Sequence, residues 1–217
     1  MNVEHAIAGN EVVKLFATPL LKRVLAPERR AALKAELLAH VDRLTAPLAP
    51  LGPGEQWHLP ANLHRHAAFA PLRELAEGAA LGLLERQRVI HQGIELTRCR
   101  AVVAAPGARL AKDASPNSYL SGICCVRGEI ILRFADPRPH AGLILPPRRG
   151  GHPPCAESET LTVGEGTLVI VPAWLAFEIA WTGGDAHGTV LELDLMLSGY
   201  NQTISRPKWQ GNRVQRQ

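Results

Sequence analysis

Two side chains in the second half of the chain have the chemistry of a proton-transfer pair. Asp113 follows a short polar stretch, and His187 follows the Gly-Gly-Asp-Ala run at 183–186. A carboxylate that orients an imidazole raises its pKa, which yields a general base near neutral pH. The pair works as catalytic residues only if the fold brings both to one site. In the alternative interpretation, Asp113 caps a turn and His187 is a surface residue.

Cysteines and other histidines suggest two further kinds of site. Cys124 and Cys125 are adjacent, and because neighbouring strand residues point to opposite faces, only one thiol can face a pocket. The alternative is a pair of structural thiols. His58, His64 and His66 carry imidazoles that can bind metal ions, but their stretch also fits a loop between helices. The prediction is that the chain has no metal site.

Composition limits the class of protein. The 217 residues are 46% hydrophobic and 20% charged, as in a soluble globular domain. The net charge of +4 resides in the basic tail after residue 200, so the neutral body argues against nucleic-acid binding. No apolar run is long enough for a membrane span, and the first residues lack the layout of a signal peptide. We therefore expect a cytoplasmic protein without nucleic-acid or membrane partners.

Helical patterns precede strand patterns along the chain. Pro27 opens a helix with an apolar stripe, a second helix spans about 69–90, and 12–21 suggests a short strand. This order predicts an α+β, mostly β fold: a jelly roll with two N-terminal helices packed on one sheet. We expect one domain over 1–200, helical over about 27–92 and a barrel over about 94–197, with a basic polar tail at 201–217. The expected strands are 94–104, 119–126, 129–135, 160–163, 167–171, 174–181 and 188–197, and 136–158 forms a binding or lid loop.

Alternation along the strands predicts which residues face the barrel mouth. On the final strand we expect His187 and Thr189 to share the inner face with Leu191, Leu193 and Leu195. The result is an apolar interior with a polar rim, which suits either a small-molecule pocket or a filled, inert core. Arg133 either anchors an anionic ligand or lies on the outer sheet face. The predicted ligand-binding residues are Ser115, Tyr119, Ser121, Cys125, Arg133, Phe177 and Thr189.

Several short motifs carry a resemblance to a known family. They are LFATPL at 15–20, QWH at 56–58, PNSYLSG at 116–122, FADPR at 134–138 and VPAWLAFEI at 171–179. In this order the chain resembles a bacterial family of 2-oxoglutarate-Fe(II) oxygenases with a double-stranded β-helix fold. The resemblance implies iron ligands at the positions of Asp113, Ser115 and Phe177, and a co-substrate arginine at or near His187. Of these residues only Asp113 is a good metal ligand.

The resemblance leaves three functional hypotheses. The leading one is a diverged member that uses no cofactor and binds a small organic molecule at the barrel mouth, with or without metal-independent acid–base chemistry such as isomerisation, cyclisation or elimination in specialised metabolism. The second is an Fe(II)/2-oxoglutarate oxygenase with an unusual ligand set that includes Asp113, His140 and His152. The third is a non-catalytic partner subunit of an active homologue. We also expect a homodimer formed through sheet edges.

Overall fold

The computed structural model describes residues 17–138, 158–182 and 187–199. Its two helices precede most of its strands. Two turns of 3-10 helix, Leu63–Arg65 and Ala67–Phe69, lead into the second helix. The elements are β1 (Leu21–Val24), α1 (Pro27–Thr45), β2 (Gln56–His58), α2 (Ala70–Arg86), β3 (Ile94–Ala104), β4 (Arg109–Lys112), β5 (Leu120–Arg127), β6 (Glu129–Ala135), β7 (Ser158–Gly164), β8 (Thr167–Pro172), β9 (Phe177–Trp181) and β10 (Gly188–Leu197).

Both helices form where the apolar spacing predicts them. Pro27 occupies the first turn of α1, where its missing N–H is not needed for a helical hydrogen bond. The buried stripe of α1 includes Leu33, Leu37 and Val41. α2 ends at Arg86 rather than near residue 90, and Arg88 adopts a left-handed conformation with φ of 56°. Within the described residues, neither helix is long and apolar enough to span a membrane.

The strands form two antiparallel sheets. One has six strands in the order β1-β8-β5-β10-β3-β2, and the other has four in the order β4-β9-β6-β7. From β3 to β10 the chain alternates between the sheets, except for the β6–β7 hairpin. This is the connectivity of a double-stranded β-helix, so the predicted fold class is confirmed.

The large sheet separates two apolar cores. Its outer face packs against α1 and α2, and its inner face packs against the small sheet. Because both faces are covered, β10 is buried at eight consecutive positions, even though leucines alternate with acidic residues over 191–195.

The prediction that the leucines of β10 line the barrel interior is wrong. Leu191, Leu193 and Leu195 pack on the helix side. Val190 faces the small sheet, and Glu192 lines a cleft at the barrel mouth. The leucines are explained by burial under the helices, not by burial inside the barrel.

Three edge strands also differ from the prediction. β2 and β4 are absent from the predicted set, because each has only three or four residues and carries little periodicity. β1 lies after Pro19 instead of before it, and the first residues of the predicted 12–21 strand fall outside the described part of the chain. β4 is the functionally important omission, because its last residue contributes to the site.

Truncation of the helix-side core provides a test of this packing. Leu37 is fully buried between α1 and the large sheet, so Leu37→Ala should lower the free energy of unfolding by about 2–5 kcal/mol in a urea titration. Ile90 is 99% exposed, so Ile90→Ala serves as the control and should change stability by less than about 0.5 kcal/mol. Equal effects of the two changes would contradict this helix–sheet interface.

Candidate functional site

Asp194 is the centre of a polar cluster at the mouth of the barrel. Its Oδ2 accepts a hydrogen bond from Arg98 Nη1 at 2.7 Å. Its Oδ1 accepts from Lys112 Nζ at 3.3 Å and from the Oγ atoms of Ser115 and Ser121 at 3.2 Å each. Lys112 Nζ also donates to Ser115 Oγ at 2.9 Å. Both oxygens of one buried carboxylate are thus satisfied, with two cations beside them.

Four separate segments supply these donors. Arg98 on β3 and Ser121 on β5 lie directly opposite Asp194 in the ladders that flank β10. Lys112 is the last residue of β4 and reaches across from the small sheet. The backbone N–H of Ser115 donates to the Ala173 carbonyl at 2.8 Å, which fixes the turn after β4. The cluster therefore connects the two sheets.

A second ion pair lies one pleat further along the same strands. Arg100 is opposite Glu192 in the β3–β10 ladder, and its Nε donates to Glu192 Oε2 at 2.6 Å. Glu192 is 1% exposed. Its other oxygen, Oε1, is buried and has no hydrogen-bond partner among the described residues. Such a buried acceptor is typical of a polar site rather than of a packed core.

The surrounding cations keep Asp194 ionised. Burial by itself opposes ionisation, but the hydrogen bond from Arg98 and the charges of Lys112 and Arg98 outweigh it. The pKa of Asp194 is therefore lowered from its ordinary value. A carboxylate with a depressed pKa and saturated oxygens is a fixed counter-charge, not a general base.

These side chains line an open cleft of about 750 Å³. The inward faces of β3 and β10 form one wall, and the end of β4 with the turn that follows it forms the other. Polar and ionisable residues dominate the lining: Thr97, Arg98, Arg100, Lys112, Asp113, Ser115, Asn117, Ser118, Glu192 and Asp194.

Some of the predicted site residues do meet at this cleft. Ser115 and Ser121 both bond to Asp194, and Asp113 is exposed at the rim. Phe177 lies opposite Lys112 in the β4–β9 ladder and packs on Phe134, with ring centroids 5.4 Å apart. Phe177 thus forms part of the apolar interior beneath the cleft, as does Cys125.

Other predicted residues lie elsewhere. His187 precedes the opposite end of β10, roughly 20 Å from Asp194 at the rise of a β-strand, and its ring lies 6.2 Å from that of Trp57. Asp113 and His187 therefore do not form a proton-transfer pair. Thr189 is opposite Val103, which packs on the helix side.

Arg133 and Tyr119 also lie outside the cleft. Arg133 is exposed on the outer face of the small sheet, and its Nε donates to Ser158 Oγ at 3.3 Å. Tyr119 packs against the helix-side core and borders a neighbouring cavity.

The charged residues that define the site are ones that the sequence reasoning missed. Arg98 and Arg100 are two residues apart in β3, and Glu192 and Asp194 are two residues apart in β10. Charges repeated at a spacing of two place both side chains on one face of a strand. That spacing could have revealed the pairs, whereas nothing local to Lys112 indicates its partner.

The three histidines singled out from the sequence do not cluster. His58 lies on β2 with much of its surface exposed, and partial desolvation of its ring together with the charge of Arg100 lowers its pKa, against a raising effect from Glu192. His64 lies within the first 3-10 turn and His66 directly after it. Among the described residues, no three His, Cys, Asp or Glu side chains are grouped to hold a metal ion.

Comparison with solved structures identifies the architecture. Streptomyces viridochromogenes AviO1 aligns with a TM-score of 0.54 at 14% identity, over 82% of this chain and 90% of that one. Streptomyces hygroscopicus HygX, with nickel and 2-oxoglutarate bound, aligns with a TM-score of 0.54 at 10% identity, over 83% of each chain. The chain has the double-stranded β-helix fold of 2-oxoglutarate-Fe(II) oxygenase-like proteins.

A third neighbour extends this likeness. The non-heme α-ketoglutarate-dependent epimerase SnoN from nogalamycin biosynthesis aligns with a TM-score of 0.55 at 13% identity, over 82% of this chain and 78% of that one. The family resemblance seen in the sequence is thus confirmed at the level of the fold. Neither a family model nor a curated protein sequence matches the chain.

These neighbours correct one expectation. The prediction that no cofactor is used is contradicted, because HygX has been solved with iron and with nickel plus 2-oxoglutarate, and SnoN with Fe³⁺ and α-ketoglutarate. Two of the three residues that the motifs align with iron ligands, Ser115 and Phe177, nevertheless do not fit an iron ion. Phe177 has no donor atom, and Ser115 Oγ is engaged by Lys112 and Asp194. An ammonium group beside these positions would also repel a metal cation.

Neutralising Asp194 should destabilise the protein in a pH-dependent way. Asp194→Asn leaves Arg98 and Lys112 without their counter-charge, so we expect a loss of about 3 kcal/mol in unfolding free energy at pH 7. The pKa of Asp194 is lower in the folded protein than in the unfolded chain, where it is about 3.9. The stabilisation by Asp194 is therefore full above the unfolded pKa and disappears as the pH falls through the pKa of the folded protein. In urea titrations, the difference in unfolding free energy between the variant and the wild type should become smaller below about pH 4.

The matched control is an exposed ion pair of the small sheet. Glu178 accepts a hydrogen bond from Arg109 Nη1 at 3.0 Å, and the side chains of Arg109 and Glu178 are 68% and 36% exposed. Glu178→Gln should therefore cost less than about 1 kcal/mol at any pH. An Asp194→Asn penalty that stays constant from neutral to acid pH would contradict the assigned role of the carboxylate charge.

The buried thiols should be unreactive in the native protein. Burial raises the pKa of Cys124 to about 12 and that of Cys125 to about 12, so neither forms the nucleophilic thiolate near neutral pH. Iodoacetamide at pH 8, followed by peptide mass spectrometry, should leave both residues unmodified until urea unfolds the chain. Native labelling of Cys125 at the rate of an exposed thiol would overturn this assignment.

Proposed function

We propose that this chain binds a small organic acid in the cleft at the barrel mouth. The observation that supports the proposal is a difference in solvent exposure: in each of the two ion pairs, the arginine is more exposed than its carboxylate partner. The side chains of Glu192 and Asp194 are 1% and 7% exposed, whereas those of Arg98 and Arg100 are 32% and 25% exposed. At the floor of the cleft a ligand therefore meets the two arginines before their paired carboxylates, although Asp113 is exposed at the rim.

The two arginines are held in place and still have donors to offer. Among the described residues, Arg98 donates to Asp194 through Nη1, and Arg100 donates to Glu192 through Nε and Nη2. A guanidinium carries further N–H groups in the same plane, and these match the geometry of a carboxylate. Because the buried partners fix both side chains, little side-chain entropy is lost when a ligand binds.

The interior beneath the cleft supports binding at the mouth rather than deep in the barrel. Phe177, Ile179 and Leu132 are all buried between the sheets. The polar residues begin where this apolar packing ends, and the cleft volume of about 750 Å³ falls in the range of small-molecule sites. Proton transfer by Asp113 and His187 is not part of the proposal, because the two residues lie too far apart.

A second candidate function is that of an Fe(II)/2-oxoglutarate-dependent oxygenase. The bound metal and co-substrate in the HygX and SnoN structures favour it. The ligand set suggested for it combines Asp113 with His140 and His152, and both histidines lie outside the described residues.

Calorimetric titration with a matched pair of compounds tests the primary proposal. N-acetylglycine carries a carboxylate, and N-acetylglycinamide is its neutral analogue. The wild type should bind only the acid, and Arg98→Gln should weaken that binding at least tenfold, since one charge-assisted hydrogen bond contributes on this scale. Arg109→Gln, which removes an arginine of the small-sheet ion pair, should leave the affinity unchanged.

Three outcomes are informative. No preference for the acid, or equal effects of the two arginine substitutions, would overturn the proposal. Titration with 2-oxoglutarate, with and without anaerobic Fe(II), addresses the second candidate in the same preparation. Iron bound at one per chain, together with Fe(II)-dependent consumption of 2-oxoglutarate, would establish the oxygenase and displace the primary proposal.

A further inference from the structure

A second cavity lies next to the polar cleft and differs from it in character. Its volume is about 580 Å³. The two cavities share Ala114, Ser115, Pro116 and Ser118, so the turn after β4 forms their common border. The remaining lining of the second cavity is largely apolar and aromatic: Ala17, Pro19, Tyr119, Leu120, Pro172 and Trp174, with Gln87 at one side.

Trp174 is the distinctive residue of this apolar cavity. It lies in the β8–β9 turn and is 54% exposed, although a tryptophan normally buries most of its large apolar surface. The turn is well ordered by hydrogen bonds: Ala173 N–H donates to the Tyr119 carbonyl at 3.1 Å, and Leu175 N–H donates to the Pro172 carbonyl at 3.0 Å. An indole held on a fixed turn beside a cavity is a preformed contact surface for an apolar group.

We infer that the ligand is amphipathic, with its carboxylate in the polar cleft and an aromatic or branched aliphatic body against Trp174. This inference rests on the proposed function and names the substrate class for the same site. The guanidinium groups of Arg98 and Arg100 take the acid, and the apolar cavity takes the body across the shared turn.

The arrangement of the two cavities favours one ligand over two separate occupants. Ser115 borders both cavities and is itself bonded to Lys112 and Asp194. The two cavities are thus separated by one short turn, which a single molecule bound on both sides would span. Transfer of a ring from water onto the indole surface then adds affinity that the acid group alone cannot provide.

Two compounds with the same acid group test the inference. N-benzoylglycine and N-acetylglycine share the carboxylate and the amide and differ only in phenyl versus methyl. By calorimetry, N-benzoylglycine should bind the full-length protein at least tenfold more tightly. Trp174→Ala should remove that advantage while leaving the affinity for N-acetylglycine within twofold of wild type.

Two further variants control this experiment. Trp174→Phe keeps an aromatic surface and should retain most of the advantage of the benzoyl compound. Leu48→Ala shortens a different exposed apolar side chain and should change neither affinity. Circular dichroism melts of all variants should coincide with that of the wild type, because Trp174 lies on an exposed turn.

The results separate failure of the inference from failure of the proposed function. Binding of neither acid would overturn the proposed function. Equal affinity for both acids, or an advantage that survives in Trp174→Ala, would overturn the inference and leave the acid site intact. Concentration-dependent dimerisation that is abolished by Trp174→Ala would also overturn it, because a second copy of the chain would then occupy the surface.

Discussion

Two buried carboxylates on the inward face of β10 require positively charged partners, and these partners define the arrangement of the barrel mouth. Glu192 and Asp194 each face an arginine on β3 across the same ladder. Asp194 also accepts hydrogen bonds from Lys112 of the opposite sheet and from two serine hydroxyls. An uncompensated charge at this depth would cost several kcal/mol. The register of β10 with β3 and the position of the end of β4 are therefore coupled through one side chain.

This cluster explains why the barrel is apolar at depth and charged at its mouth. Buried ion pairs contribute little net stability relative to apolar residues of similar size. Their position is better explained by what they hold in place, which is a pair of partly exposed arginine side chains that line the cleft. A single strand thus faces the helices with leucines and the mouth with acids.

The same framework relates the chain to proteins of its fold. The turn after β4 and the start of β9, which the family motifs align with metal ligands, carry a serine bonded to an ammonium group and a buried phenylalanine. The polar cleft lies beside this turn, and the apolar cavity with Trp174 borders it as well. The two cavities share residues of one turn whose backbone is fixed by hydrogen bonds to the β8–β9 turn.

The sequence by itself determined the elements with strong local patterns and the order of the motifs. The stripe of α1 and the bounds of β6 and β10 follow from residue spacing. Only the tertiary structure decided which face of β10 is inward, because helices cover the outer face and both sides of the strand are buried. It also decided the site, since Lys112 and Asp194 are 82 residues apart in the chain and meet only when the two sheets pack. Local periodicity reports which residues avoid water, but pairing across a barrel depends on contacts that no single segment contains.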